Sequence, residues 1–423
     1  MIELLRRNRR YARLWGGESV SMLGDQVTGL ALPLIAIMLL HAPAWQLGVL
    51  TAAAWIPYVF ALPIGSIVDG LPSKRVVLIA ADLVRGVALA TIPLVFVLDR
   101  LSTAHLLVVA IVIGSAGVVS QTAYASFFPR VVSLDDVVVA NSLNSTARSV
   151  TALGGPPAAG WLLQVVTAPM ALLIDCFSYV VSALTLAGLR VDEPRPPRRR
   201  PAVVRDVAEG LQTLLASPWM SSALWCTTIM NLANFAIVAV VLLYATSSLG
   251  LAPAAIGTAQ GIGATGAVLG ALCAARLSSR VGLYPVVTAG VILFSAPFLV
   301  LGLIPAEAST VAKIASYAAC TFLVTGGIVI YDITINSVMI KVMPEQMRGR
   351  LVGAFSSINY GIRPAGALLG GALATAWGPR ATILAAAVLG LAALIPLRRS
   401  PLRGVRSMDD VAQPSVAADA SRP

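Results

Sequence analysis

The chain has 423 residues, of which 57% are hydrophobic and only 12% are charged, and its mean hydropathy is +0.85. A soluble protein carries roughly twice that charged fraction, so the composition excludes an ordinary soluble enzyme and predicts an all-α integral membrane protein. The formal net charge of +11 does not indicate a nucleic-acid partner, because the basic residues form short clusters between apolar runs.

Twelve apolar runs follow one another along the chain. A helix needs about 20 mostly apolar residues to cross a hydrocarbon core roughly 30 Å thick, and each run is long enough. The first run is predicted to be a retained span, because Glu18 and Asp25 interrupt it and no cleavage site for a signal peptide follows. The runs lie at 14–40, 46–68, 76–98, 103–128, 138–166, 168–189, 219–249, 253–275, 284–304, 310–334, 348–376 and 379–397.

Spacing and charge divide these runs into two six-helix halves. Gly65 and Arg75, ten residues apart, recur as Gly270 and Arg280, which indicates a 6+6 duplication. Basic clusters fall on alternate loops, so the positive-inside rule places both termini in the cytoplasm of a multi-pass protein of the cell membrane. The predicted regions are a cytoplasmic N-terminus (1–13), a first bundle (14–189), a basic linker with an amphipathic helix (190–218), a second bundle (219–397) and a disordered cytoplasmic tail (398–423).

A resemblance to a known family adds to this prediction. The segment with Gly65, Asp69, Lys74 and Arg75 resembles the signature loop between helices two and three of the major facilitator superfamily. Further segments resemble the subgroup that contains the enterobactin exporter and macrolide-efflux proteins; they are Leu14-Trp15, Ser21 to Asp25, Asp82 to Arg85, Ala140-Asn141 and Ile174 to Tyr179. The resemblance implies a transporter that works by alternating access, as a monomer, with a cavity lined by spans one, four, seven and ten.

A second motif lies in the fifth run. Gly155, Pro156 and Gly160 resemble the proline-glycine motif in helix five of exporters. The resemblance therefore favours export over import.

Acidic residues in the first run are the main candidates for energy coupling. An ionised side chain near the bilayer centre costs at least about 2.5–3.5 kcal/mol, so such groups are functional candidates. Glu18, Ser21, Asp25 and Thr28 recur at spacings of three and four and are predicted to share one helix face. Asp25, assisted by Glu18, is the predicted proton-coupling group; the alternative is that Asp25 bonds to a neighbouring helix and only orients it.

Polar residues in four other runs are predicted to line the substrate cavity. Each of them is also compatible with a hydrogen bond between helices. Arg363 could contact an anion or pair with a carboxylate, and Asp332 could instead belong to an inner gate. The candidates are Gln121, Tyr124, Asn231, Asn234, Tyr317, Thr321, Asp332 and Arg363.

Motifs for other chemistry are missing from the sequence. The four cysteines fall singly in different apolar runs, no phosphate loop surrounds a lysine, and no serine elbow or zinc motif occurs, so we predict no metal, no cofactor and no enzymatic activity. The predicted function is proton-coupled efflux of a small amphipathic drug, antibiotic or siderophore. Alternatives are import or uniport of a metabolite, lysophospholipid flipping, and a receptor or scaffold that binds without transport.

Overall fold

The computed structural model describes residues 2–189, 191, 193, 203–305, 307–405 and 408–411, and every regular element among them is helical. Serine side chains begin several of the long helices: Ser73, Ser102, Ser217 and Ser309 each accept a hydrogen bond from the backbone N–H three residues on. The helices are α1 (Ile2–Arg7), α2 (Arg9–Leu34), α3 (Ala44–Val59), α4 (Ala61–Gly70), α5 (Lys74–Val97), α6 (Thr103–Val131), α7 (Val137–Val165), α8 (Ala168–Ala187), α9 (Val203–Ala216), α10 (Pro218–Leu243), α11 (Pro253–Val281), α12 (Leu283–Gly302), α13 (Thr310–Val342), α14 (Arg348–Leu391) and α15 (Leu394–Arg398).

Nine helical stretches of the described residues are long and apolar enough to cross a membrane. The helices α3 and α4 meet at an angle of 50° near Pro57 and Pro63, so they are counted apart from these nine. If the bent pair is one span, it is the tenth. The helix α14 is not continuous: Gly378 has φ of 82° and separates two helical segments. The structure is therefore a bundle of membrane-spanning helices.

The two halves repeat the same local features. The first helix of each half ends in a π-helical turn, Ile35–Leu39 after α2 and Tyr244–Ser248 after α10. Within the first half α2 packs on α7 and α8, and within the second half α10 packs on α14. The halves meet along two seams, α3 against α14 and α7 against α11.

The linker helix and part of the tail pack against the second half. In α9, Leu214 is buried and Glu209 accepts a hydrogen bond of 3.0 Å from Arg350 at the start of α14. The predicted basic run at 194–200 lies outside the described residues.

The tail differs from the prediction of disorder from residue 398. Two short helical turns, Pro401–Gly404 and Met408–Asp410, follow α15, and the apolar side chains of Leu402 and Val411 are buried against the bundle. Ser222 also donates a hydrogen bond of 2.9 Å to Ser400, and Lys341 donates one to the carbonyl of Met408. Residues 412–423 lie outside the described part of the chain.

Candidate functional site

Two cavities are each lined by one half and a third is lined by both halves, and all three lie toward the end of the bundle where α2 and α14 begin. One of about 340 Å³ belongs to the first half, and one of about 480 Å³ belongs to the second. A third, of about 440 Å³, separates α4 from the start of α14. At the opposite end the seams are closed by backbone contacts, so the described structure is open toward one end only.

The first-half cavity contains the predicted coupling residues. Asp25 projects from α2 into this cavity and is exposed there, and Glu18 lies on the same wall. Gln121 and Tyr124 of α6, Arg85 of α5 and Arg148 of α7 also line it. Four residues that the sequence predicts for the site therefore line one cavity: Glu18, Asp25, Gln121 and Tyr124.

The hydrogen bonds of the two acids differ. The hydroxyl of Tyr179 donates a hydrogen bond of 2.5 Å to Asp25. No side chain in the described part of the chain donates one to Glu18. Asp25 is therefore held in a fixed position at the cavity wall, whereas Glu18 has no such partner.

A charged network lies behind Asp25. The guanidinium of Arg85 lies 4.5 Å from the ring centre of Tyr179 and donates a hydrogen bond of 2.6 Å to Asp82. Ser182 donates a second bond, of 2.7 Å, to Asp82, which is 4% exposed. The close spacing of Asp82 and Arg85 in the sequence predicts this pairing, and the structure confirms it. The network connects the cavity to α5 and α8.

Thr28 does not share the cavity face. Its hydroxyl donates a hydrogen bond to Asp175 of α8, which is fully buried and also accepts one of 2.8 Å from Ser178. Two side chains three residues apart on an α-helix point in directions that differ by about 60° around the helix axis. Residues that repeat partly at this spacing therefore do not stay on one face of the helix. This change of direction carries Thr28 away from Glu18 and toward α8.

The second-half cavity is lined by amides. Asn231 of α10 donates a hydrogen bond of 3.3 Å to Asn359 of α14 and accepts one of 3.3 Å from Arg363. Asn234 and Asp332 line the same space, and Asp332 is exposed in it. Four of the six second-half candidates therefore line one cavity: Asn231, Asn234, Asp332 and Arg363.

Arg363 lies among aromatic rings at the junction of the halves. Its guanidinium carbon is 4.4 Å from the ring centre of Trp55, 4.5 Å from that of Tyr360 and 5.1 Å from that of Phe235. Such contacts stabilise a partly desolvated cation by about 0.5–2 kcal/mol each. Because Trp55 belongs to the first half, Arg363 joins the two halves near the middle of α14.

Two predicted cavity residues face another helix instead. Thr321 donates a hydrogen bond of 2.9 Å to the carbonyl of Ala259 in α11, and Tyr317 is 1% exposed and bonds to Gln260 of α11. The glycines of α11 allow α13 to approach closely, and this face of α13 is covered by that contact. Tyr317 and Thr321 therefore hold α13 against α11 and do not line the described cavities.

The predicted gating-loop residues lie at the open end. Ser126 of α6 donates a hydrogen bond of 3.0 Å to Asp69, and the ammonium group of Lys74 donates to the carbonyl of Asp69 at 2.9 Å. Arg75 donates to the carbonyl of Leu189, and Gly65 lines the cavity between α4 and α14. These contacts hold the motif against the first half, and a cavity lies between α4 and the start of α14.

Glu193 of the linker is a positioning residue that the sequence analysis missed. Its carboxylate accepts hydrogen bonds of 2.7 Å from the hydroxyl of Ser73 and 3.2 Å from the backbone N–H of Arg75, and one from the N–H of Lys74. Arg130 lies 3.4 Å away. A carboxylate at a helix N-terminus is favourable because it meets unpaired N–H groups. The linker is therefore fastened to the start of α5.

Replacing this carboxylate should weaken the fold. Glu193→Gln removes the charge and leaves donors of α5 without a good acceptor, a loss of about 1–2 kcal/mol. We expect a lower midpoint of thermal unfolding for the purified protein, measured by tryptophan fluorescence. The matched control is Asp135→Asn, an exposed acid on a neighbouring loop, and an equal fall in both variants would contradict the assigned role.

Two of the helix-five residues, Pro156 and Gly160, lie at the α7–α11 seam, whereas Gly155 faces α2. Gly155 lies against the side chain of Gln26, the carbonyl of Pro156 touches Gly257, and the Cα of Gly257 lies 3.1 Å from the position of a Cβ on Gly160. At the other seam, a Cβ on Gly48 would lie 2.8 Å from the Cα of Gly371. Glycine is required at Gly160, Gly257, Gly48 and Gly371 because two helix backbones touch at these positions.

Some residues of the site carried little sequence signal. Tyr179 donates to Asp25, and Trp55, Tyr58 and Tyr360 form the aromatic surface between the cavities. The spacing of three between Trp55 and Tyr58 places both on one helix face, and this was a usable signal. Tyr179 ends one of the segments that carry the family resemblance, but nothing in that segment indicates a hydrogen bond to Asp25.

Comparison with known proteins agrees with this architecture. The chain is 27% identical to the multidrug efflux pump Tap of Mycobacterium tuberculosis over 403 residues, which is 90% of this chain and 91% of the pump. It is 26% identical to the pump of the same name from Mycolicibacterium fortuitum over 378 residues, covering 86% and 88% of the two chains. A crystal structure of a bacterial homologue of the iron transporter ferroportin, in its inward-facing state, superposes with a TM-score of 0.70 at 17% identity, covering 92% of this chain and 98% of that one.

The family model described as Major Facilitator Superfamily matches residues 14–362 and 224–417. These two matches together span both bundles and their linker. The chain therefore belongs to the major facilitator superfamily, and it is a multi-pass transporter of the cell membrane and not an enzyme.

Proposed function

We propose that this transporter exports small amphipathic molecules from the cell in exchange for protons. The observation that carries the proposal is the charged cavity of the first half, where Asp25 and Glu18 line the same space as Arg85 and Arg148. A carboxylate that is accessible from one side at a time can carry a proton across as the protein changes state. The similarity to multidrug efflux pumps along nearly the full chain supports export as the direction.

The proposed topology has twelve spans with both termini in the cytoplasm. The nine apolar helical stretches become twelve when the bent pair α3–α4 is one span, α14 is divided at Gly378, and α7, which is 29 residues long, is also a span. The basic residues then face the cytoplasm, as the positive-inside rule requires. The cavities open toward the cytoplasm in this orientation.

Transport follows from rocking of the first bundle (14–189) against the second (219–397) about the site between them. The amide cavity with Asn231, Asn234, Asp332 and Arg363 contacts substrate, and Gln121 and Tyr124 face it from the first half. Gly65, Asp69, Lys74 and Arg75 form the loop that meets α14 when the cytoplasmic side closes. The protein acts as a monomer in the lipid bilayer.

The test is the accumulation of fluorescent dyes, antibiotics and siderophores in cells that express the protein or carry the empty vector. Lower accumulation in the expressing cells, abolished by a protonophore, is the expected result. Higher accumulation would show import, and export that is insensitive to the protonophore would contradict proton coupling. Binding of a compound without any flux would indicate a receptor or scaffold.

A further inference from the structure

The two cavities differ in charge at equivalent positions of the repeat. Asp25 lies ten residues before Ile35, where the π turn begins, and Asn234 lies ten residues before Tyr244, where the second π turn begins. In the same way Arg148 lies eleven residues after the start of α7, and Asn359 lies eleven residues after the start of α14. Charged groups in the first half are thus replaced by neutral amides in the second.

Two charged residues, Arg363 and Asp332, interrupt this amide lining. Asp332 is the single acidic residue among the described residues that line the second-half cavity, and its side chain is exposed there. Within the described part of the chain, no group donates a hydrogen bond to it and no cation forms an ion pair with it. The contrast with Asp25, Asp82 and Asp175, which all have donors, is clear.

The nearby cation does not neutralise Asp332 by direct contact. Arg363 points its guanidinium at three aromatic rings and bonds to Asn231. A carboxylate inside a membrane protein is costly without a partner, and the partner that lowers this cost most is a cation. The unpaired group therefore faces a space in which a ligand would be its partner.

The rest of the lining suits the body of such a ligand. A cavity of about 480 Å³ falls within the range of about 300–1,000 Å³ that holds small molecules. Met230, Met339, Met343 and Phe355 supply an apolar surface, and methionine side chains adapt to different shapes. Asn234 and Asn336 supply hydrogen-bond donors and acceptors.

We propose that the second-half cavity is the substrate subsite and that it selects organic cations with an apolar body, with Asp332 as the anchor for the positive charge. The proposal rests on the proposed function, since it assigns the cargo of that same transporter. Substrate and proton are then held by different halves: the cation by Asp332, and the proton by the first-half acids.

The test measures binding and does not depend on transport. Ethidium, which is a permanent cation, is titrated into detergent-purified protein and its fluorescence anisotropy is recorded, with the neutral dye Nile red as the matched ligand. Asp332→Asn should weaken ethidium binding by about tenfold or more, the usual scale for loss of a charge-assisted contact. Binding of Nile red should remain unchanged, and Asp332→Glu should retain ethidium.

The outcomes separate this inference from the proposed function. Equal ethidium affinity in wild type and Asp332→Asn, or no ethidium binding by the wild type, would overturn the inference and leave proton-driven export untouched. Equal loss of ethidium and Nile red with a lowered unfolding midpoint would show that Asp332 is structural, which also overturns it.

Discussion

Asp25→Asn is expected to abolish uphill export while the exchange of substrate continues. Asparagine has the same shape as aspartate but cannot carry a proton, and its oxygen can still accept the hydrogen bond from Tyr179. The cavity therefore keeps its geometry and loses its coupling group. In everted membrane vesicles, substrate uptake driven by an imposed pH gradient should fall by about tenfold or more, the scale expected for loss of a proton-transfer group.

Counterflow distinguishes coupling from binding. Labelled substrate should still exchange with unlabelled substrate across vesicles containing Asp25→Asn, because exchange needs no net proton movement. Asp175→Asn is the matched control, since Asp175 lies on α8, which packs against the helix of Asp25, but is fully buried and does not line the cavity. Gradient-driven uptake with unchanged pH dependence in Asp25→Asn would refute the coupling role, and loss of counterflow as well would assign Asp25 to structure or substrate.

Much of the bundle could be predicted from the sequence because a membrane helix is a local feature. Its length, its caps and its apolar composition are all set within one segment, so the predicted runs agree with the helices to within several residues. Asp25, Asn231 and Asp332 could be nominated in the same way, since a polar group inside an apolar run is visible without any knowledge of its neighbours.

The rotation of each helix could not be predicted in this way. Tyr317 and Thr321 repeat at a spacing of four, like residues that line a cavity, yet the face they occupy is covered by α11. That contact depends on glycines more than fifty residues earlier in the chain, such as Gly263 beside Thr321. The position of Thr28 depends likewise on Asp175, 147 residues later.

Contacts that join distant segments were also outside the reach of the sequence. Glu193 looks like a solvated acid in a charged linker, but it fastens that linker to the first turn of α5. Trp55 and Arg363 lie in different halves and meet only when the bundles assemble. Both cases require three-dimensional proximity that no local pattern carries.

The glycine contacts at the closed end are related by the internal repeat, and they suggest how the closed state is stabilised. Gly48 and Gly257 lie four residues after the starts of α3 and α11, and their partners Gly371 and Gly160 lie 23 residues after the starts of α14 and α7. Each half thus contributes one member to each seam. The two seams close the same end of the bundle through contacts between backbone atoms. A backbone contact cannot be relieved by a change of side-chain rotamer.

Gly48→Ala is therefore expected to open this end. The new Cβ would lie 2.7 Å from the carbonyl oxygen of Ala367 and 2.8 Å from the Cα of Gly371, so the helices must separate. Overpacking of this kind costs about 1–3 kcal/mol, although alanine itself favours a helix. Because the opposite state separates this seam, it should gain about 5- to 150-fold in relative population, by the conversion of about 1.4 kcal/mol per factor of ten.

Opening of this end can be measured with spin labels at Asp99 and Glu307, which are exposed there on opposite halves. The labels are introduced in a background without the four native cysteines, and the expected result is a longer distance between them. Gly361→Ala is the matched control, because it lies in α14 like Gly371 but a Cβ there meets nothing within 4 Å. Gly257→Ala should act as Gly48→Ala does, since the repeat makes the two positions equivalent. If the distance between the labels is unchanged in both seam variants and thermal unfolding is intact, the glycine contacts do not stabilise the closed end. If the distance changes in only one of the two variants, the two seams open independently and the halves do not move as rigid bodies.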